Sequence, residues 1–269
     1  MRWPLWLLVA GCDGVFGLDH VSRPLDAPTA PFDALLACTT VPGHDEDHDG
    51  IADDIDDCPE IANADQLGTM DGDDIGGACD PHPTSDDERV LFVSFAASDA
   101  CWPATDSNAW GIHDDAFYGA VPASGGSLTK FYYAVSNVPP AEPGFTYRAH
   151  VVIDATPNAK GTFAIVANKG APQGQILSCA LIHDTAAGDT VQAFLTGSNE
   201  AHAPTTVVPG GYSIELRYDQ TTASCKVTPD GQPTIATGAI TFAALPVDHL
   251  AIALQAISAH VDWVVVYRP

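Results

Sequence analysis

In Tyr212-Ser-Ile-Glu-Leu-Arg-Tyr218 every second side chain is large and apolar, and those between are polar. A period of two belongs to a strand with one face in a core and the other in water. It does not suit a helix, whose buried face recurs every three or four residues. The same alternation sets Tyr147, Ala149, Val151 and Ile153 against Arg148, His150, Val152 and Asp154. The run 261–267 predicts Val261, Trp263, Val265 and Tyr267 on the core face, with Asp262 outside and Val264 and Val266 on a second, covered face. Further strands are expected near 89–96, 128–136, 161–168, 174–183, 190–196, 223–228, 234–242 and 249–257, punctuated by Pro-Gly, Gly-Gly, Asp-Gly and Gly-Ser. No window of a dozen residues carries a strong helical period. Roughly ten to twelve antiparallel strands over residues 88–269 predict a mainly β fold, a two-sheet jelly-roll sandwich.

A second segment cannot fold that way. GHDEDHDGIADDIDDCP, residues 43–59, holds seven Asp and one Glu without a Lys or Arg. From Asp45 to Asp87 there are sixteen acidic residues and no Lys or Arg, so much of the net charge of −25 sits in one stretch. Two carboxylates about 4 Å apart repel by roughly 4 kcal/mol at a surface-like dielectric. Either a cation gathers them, or the segment is a solvated acidic linker with little to bury. So acidic a chain is not a non-specific nucleic-acid binder, because phosphate contact needs Lys and Arg.

The spacing favours the cation. With Asp45 as position 1, Asp47 is 3, Asp49 is 5, Gly50 is 6, Ile51 is 7, Asp53 is 9 and Asp56 is 12. Carboxylates at 1, 3, 5, 9 and 12, a turn glycine at 6 and a backbone carbonyl from Ile51 form a calcium-loop pattern. Hard oxygens suit calcium rather than a softer transition metal. His48, at position 4, is expected to point outward. No helical pattern flanks the loop, and position 12 is Asp rather than Glu.

The text continues with Cys58-Pro59, Asn63, Asp65-Gln66 and Ala78-Cys79-Asp80. Together with Asp45 to Asp56 this resembles a thrombospondin type 3 repeat. The resemblance implies a calcium-holding module with little regular secondary structure, of a kind found in extracellular and cell-surface proteins. It implies a second loop with Asp71, Asp73, Ile75 and Asp80 as ligands. There Thr69 stands at position 1, Asp74 where glycine is expected and Gly77 at position 9. One good site and one weaker or shared site are therefore expected, with Ca2+ as the bound ion.

The chain opens MRWPLWLLVAGC, an apolar run closed by Leu8 to Cys12. This resembles a bacterial lipoprotein signal, which implies cleavage before Cys12 and lipidation of its thiol. Lipid chains anchor a protein without a spanning helix. The expected location is thus the cell envelope, through a lipid anchor only, with secretion as the alternative. Residues 1–12 are then the signal, 13–43 a proline-rich flexible tether, 44–83 the calcium repeat and 88–269 the sandwich. Setting Cys12 aside leaves six Cys, which an exported protein tends to pair. Cys58 and Cys79 bracket the module. Cys179 and Cys225 lie in two predicted strands that could neighbour each other. Cys38 and Cys101 remain, to pair across the module. Six cysteines allow fifteen connectivities, and the choice stays open.

The segments YSIELRYDQTTASCKVTPDGQ and DHLAIALQAISAHVDWVVVY resemble the concanavalin A-like, laminin-G-like sandwiches. That resemblance implies binding of glycans or proteins, and in some members polysaccharide hydrolysis. No enzyme is expected. The Glu-x-Asp-x-Glu strand of such hydrolases is missing, and Glu88, Glu142, Glu200 and Glu215 are isolated. No Gly-x-Ser-x-Gly elbow occurs either. The candidates for ligand contact are Trp102, Trp110, Asp114 and Asp115, in a loop-rich stretch from 97 to 127. The alternative is that Trp110 is core and the acids are solvated. The expected function is calcium binding plus adhesion or recognition of a glycan or surface protein. Its rivals are a secreted carbohydrate-active enzyme and a purely structural envelope protein.

Overall fold

The computed structural model describes residues 41–68, 71–96, 109–120, 131–135, 144–167, 175–197, 199–245, 247 and 249–269. Cys12, Cys38, Cys101 and Trp102 lie outside them. The strands in chain order are β1 (Glu88–Val93), β2 (Trp110–His113), β3 (Ala116–Gly119), β4 (Tyr132–Val135), β5 (Gly144–Ala155), β6 (Lys160–Ala167), β7 (Leu177–Asp184) and β8 (Thr190–Leu195). There follow β9 (Glu200–Pro204), β10 (Gly210–Asp219), β11 (Thr222–Pro229), β12 (Ile235–Ala236), β13 (Ile240–Thr241), β14 (Leu250–Gln255) and β15 (Ser258–Arg268). No helix occurs among the described residues.

Two antiparallel sheets result. One runs β12-β11-β10-β5-β15-β3-β2, with β1 beside the far half of β15 and β13 on β11. The other runs β4-β14-β6-β7-β8-β9. The alternation read from sequence sets the core. Tyr147, Ala149, Val151 and Ile153 of β5 and Tyr212, Ile214, Leu216 and Tyr218 of β10 are buried, in one cluster with Phe163, Ile165 and Leu181 of the second sheet. Removing such side chains from water stabilises the fold by about 1.5–3 kcal/mol each. A disulfide between Cys179 of β7 and Cys225 of β11 ties one sheet to the other. This is the jelly-roll-like sandwich that the strand pattern predicts.

The last strand corrects one expectation. The β15–β5 register jumps from Val261↔Val151 to Trp263↔His150, so Asp262 is the extra residue of a β-bulge. A bulge moves everything after it to the opposite face. Val261, Val264 and Val266 therefore face the main core, while Trp263, Val265 and Tyr267 face out of the sandwich. They are still buried, because the acidic segment lies on them. The disulfide Cys58–Cys79 and Ile75 pack against Phe92, Trp263, Val265 and Tyr267. The aspartate-rich segment is irregular chain with one bridge, Gly68↔Gly76. It borrows its apolar support from the outer face of the nine-stranded sheet.

Candidate metal centre and sandwich cleft

Local hydrogen bonds curl the first loop. The amides of Asp49, Gly50 and Ile51 donate to Asp47 Oδ1 (3.1 Å), Asp45 Oδ2 (3.0 Å) and Asp49 Oδ1 (2.8 Å). The curl uses left-handed backbone at Gly50, φ +97°, and at His48, φ 62°. His48 itself is exposed, as its position predicts. The result brings oxygens of Asp45, Asp47 and Asp49 within 4.8 Å of one another. Asp56, 2% exposed, lies close enough for its charge to act on Asp47.

Buried oxygens there lack partners. Among the described residues, Asp45 Oδ1, Asp47 Oδ2 and Asp56 Oδ2 are out of water and accept no hydrogen bond. Uncompensated carboxylate oxygens are costly to bury. Burial, then the charges of Asp49, Asp56 and Asp45, push the Asp47 pKa up to about 6, against the pull of the Asp49 amide. Burial likewise raises Asp56, despite hydrogen bonds from Gln66 and the Cys58 amide. Burial and then Asp262 raise Glu46 to about 8. A divalent cation of oxygen preference would relieve the penalties on Asp45, Asp47 and Asp56 together, so the donor set fits calcium.

Not every residue of the motif points to that spot. Asp53 Oδ1 accepts the Glu46 amide at 2.9 Å and Oδ2 faces His44 Nδ1 at 2.8 Å. Asn63 and Gln66 had no role assigned from sequence beyond the resemblance. Gln66 Nε2 donates to Asp56 Oδ1 at 2.8 Å, its Oε1 accepts the Asp57 amide at 3.0 Å, and Asn63 Nδ2 donates to Asp57 Oδ1 at 2.6 Å. The Asn63 amide donates to Asp49 Oδ2 at 2.8 Å. These amides hold the carboxylates in place from outside.

The second loop gathers Asp71, Asp73 and Asp80 within the same 4.8 Å limit. The amides of Ile75 and Asp87 donate to the two oxygens of Asp73, and His82 N donates to Asp80 Oδ1 at 2.6 Å. Asp80 Oδ2 is buried without a hydrogen bond, and burial with the charges of Asp73 and Asp87 raises its pKa. Asp74, in the glycine position, is exposed. The side chain of Ile75 turns into the seam with the sandwich.

The sandwich candidates fare differently. Trp110 is not a surface platform: it is 6% exposed and stacks on Phe117 with ring centroids 4.9 Å apart. Its partner across the hairpin is Gly119, where a Cβ would meet the indole at 2.5 Å, so glycine makes room for the ring inside. Asp114 and Asp115 form the exposed two-residue turn between β2 and β3, at φ 51° and 56°. The stretch expected to be loop is thus partly a hairpin.

The cleft that the sequence did not reveal lies on the outer face of the six-stranded sheet, with a volume of about 400 Å³. Ala164, Ala180 and Ala253 form its floor, and Phe131, Tyr133 and Phe194 add aromatic surface. Thr162, Ser178, Gln192 and Gln255 supply hydroxyl and amide groups, Lys160 adds one amine, 3.7 Å from Asp184, and among the described residues no acidic side chain lines it. The clue in sequence is that β6, β7 and β14 carry small residues opposite large core ones.

No family model matches the chain, and no curated protein matches it in sequence. Solved structures match in fold. The CBM2 module of the evolved Dit of Lactobacillus casei BL23 phage J-1 superimposes with a TM-score of 0.52, at 12% identity, over 67% of this chain and 95% of that one. Lectin I-B4 from Griffonia simplicifolia, metal-free form, gives 0.50 at 8% identity, over 66% and 100%. A family 16 glycosyl hydrolase from Mycobacterium smegmatis gives 0.48 at 13% identity, over 66% and 100%. At these identities the likeness shows a lectin-like sandwich fold and assigns no reaction. A fold that assigns no reaction excludes none either, so the expectation of no enzyme, drawn from missing motifs, is corrected: that exclusion is withdrawn.

Proposed function

We propose that the protein is a calcium-binding recognition protein of the cell envelope, whose sandwich takes an uncharged stretch of glycan. The observation that carries this reading is the gathering of Asp45, Asp47 and Asp49, with Asp56 beside them and three buried oxygens left without hydrogen bonds. Asp45, Asp47, Asp49 and Asp56 would hold the first ion, and Asp71, Asp73 and Asp80 a second, weaker one. Bound calcium neutralises the loops and fixes them in a single shape. The thrombospondin type 3 resemblance supports the same assignment, and the signal-like Leu8–Cys12 supports a lipid anchor at Cys12.

Glycan recognition rests on the cleft and on the company of the fold. Aromatic faces flank an alanine floor, and amides and hydroxyls stand at its margin. Sugar rings present C–H faces to the first and hydroxyls to the second. A chain of net charge −25 repels anionic polymers. The test is calorimetry with calcium and with magnesium on the wild type and Asp49→Ala, followed by a glycan array with calcium present. Calcium uptake lost in Asp49→Ala and retention of neutral glycans are expected. A wild type that binds neither ion sinks the metal assignment, and an array without hits sinks the glycan assignment.

A further inference from the structure

The chain has ten Lys and Arg residues, and three of its arginines reach from the sandwich to the backbone of the acidic module. Arg89 of β1 donates from Nη2 to the carbonyl of Asp56 at 2.9 Å. Arg148 of β5 donates from Nη1 to the carbonyl of Cys79 at 2.5 Å, and Arg217 of β10 from Nη2 to that of Pro81 at 3.4 Å. Asp56 is the residue that closes the first loop. Cys79 and Pro81 flank Asp80, which closes the second. The sandwich thus grips both loops at their closing aspartates.

The grips are themselves held. Arg148 Nε donates to Glu215 Oε2 at 2.8 Å, and Lys226 Nζ donates to the other Glu215 oxygen at 2.8 Å. The Arg148 guanidinium lies 5.5 Å from the centre of the Tyr267 ring. Glu60 of the module, whose side chain is fully buried, sits 3.8 Å from Arg148 Nη1. Arg148 and Glu215 are direct cross-strand partners, as are Glu215 and Lys226. A rigid sheet therefore presents the donors.

We infer that Arg89 and Arg148, with Arg217 beside them, are positioning residues for the calcium loops, so that the sandwich forms part of the ion site without touching the ion. This rests on the calcium reading. A loop with almost no apolar residues would otherwise lose much conformational freedom each time it closes on an ion. Donors outside a metal's ligand shell that pre-set its ligands govern affinity about as tightly as the ligands' own supports do, with losses of roughly 10–100-fold when they are removed. By reciprocity, the ion tightens the module on the sandwich by the same factor.

The test uses the full chain and calcium alone. Arg89 is half-buried and its loss leaves the Arg148 network in place. Arg89→Ala is expected to weaken calcium binding about tenfold in calorimetry and to shrink the calcium-induced rise in Tm. Arg89→Lys, which keeps a cation and a donor, recovers most of the affinity; a merely structural contact would not separate the two variants in this way. Arg148→Lys is the second variant, read the same way if it folds. A wild type that binds calcium, with Arg89→Ala binding equally well, overturns the inference alone. A wild type that binds no calcium overturns the metal reading and the inference with it.

Discussion

The Tyr267 hydroxyl donates to Glu60 Oε1 across 2.5 Å, joining the last strand to a turn of the acidic module 207 residues earlier. The Glu60 side chain has no exposure to water. Tyr267→Phe leaves that buried oxygen without its hydroxyl and is expected to destabilise the protein by roughly 1–3 kcal/mol in urea denaturation. Glu60→Gln keeps the shape and the acceptor, so its cost should be smaller. The pH dependence separates the two further. Burial raises the Glu60 pKa above its ordinary 4.5, outweighing the Tyr267 hydrogen bond and the charges of Arg148 and Arg89. The folded chain holds that proton more tightly than the unfolded one. The associated stability is complete below 4.5 and is lost as pH rises through the folded value. Glu60→Gln should therefore gain on the wild type as pH is raised.

Asp262 does more than bulge a strand. It accepts from His150 Nδ1 at 2.7 Å and lies 3.6 Å from His260 Nε2. His150 Nε2 faces Asp230 at 3.3 Å and His260 Nδ1 faces Asp154 at 2.8 Å, giving a chain of alternating carboxylates and imidazoles. Burial lowers the His150 pKa, but Asp262 and then Asp230 outweigh it, so the net shift is upward from 6.5. That stabilising contribution is present in full below 6.5 and fades as pH rises through the folded value. Between pH 6 and 8 the wild type should lose more stability than His150→Gln. Denaturation curves at both pH values measure it, and parallel losses would show that His150 contributes nothing.

Strands with one buried face were legible in sequence because alternation is local: Tyr212, Ile214, Leu216 and Tyr218 are buried as read. The bulge at Asp262 was not, since a bulge is a property of two strands in register. The hairpin of β2 and β3 was missed because its strands are four residues each, too short to establish a period. The aspartate spacing was legible because all its carboxylates come from one short segment. Arg89, Arg148 and Arg217 come from three strands, and nothing local links them to the loops. The cleft is the subtlest case. Ala164 and Ala180 look like core positions, and only the assembled sheet shows that their face is open.

The two disulfides should separate in what they stabilise. Cys179 and Cys225 are fully buried between the sheets, 46 residues apart in sequence. Closing a loop of that length is worth about 4 kcal/mol of unfolded-chain entropy. Replacing both with Ala is expected to lower the urea midpoint of the whole sandwich by a corresponding amount. Cys58 and Cys79 are 21 apart and enclose the second loop up to the residue before Asp80, where about 3 kcal/mol applies. Their double Ala variant should lose protection from proteolysis between residues 58 and 79 first, with the sandwich still folded. Loss of both regions in one step would show that the module and sandwich unfold together.

The cleft can be closed without removing any of its polar groups. Ala180 is 4% exposed and lies at the floor of the open face, in contact with the other small side chains of β6 and β14. Ala180→Leu adds three carbons that have the cleft of about 400 Å³ to enter, rather than the packed core. Its effect on stability should stay within about 1 kcal/mol, since the new atoms displace water rather than protein. Retention on a neutral glycan column should fall at least tenfold, with calcium uptake unchanged. Phe194→Ala gives the complementary case, removing an aromatic wall and leaving the floor open. If both variants bind the glycan as the wild type does, the sugar sits elsewhere on the sandwich, and the exposed turn at Asp114 and Asp115 becomes the place to look.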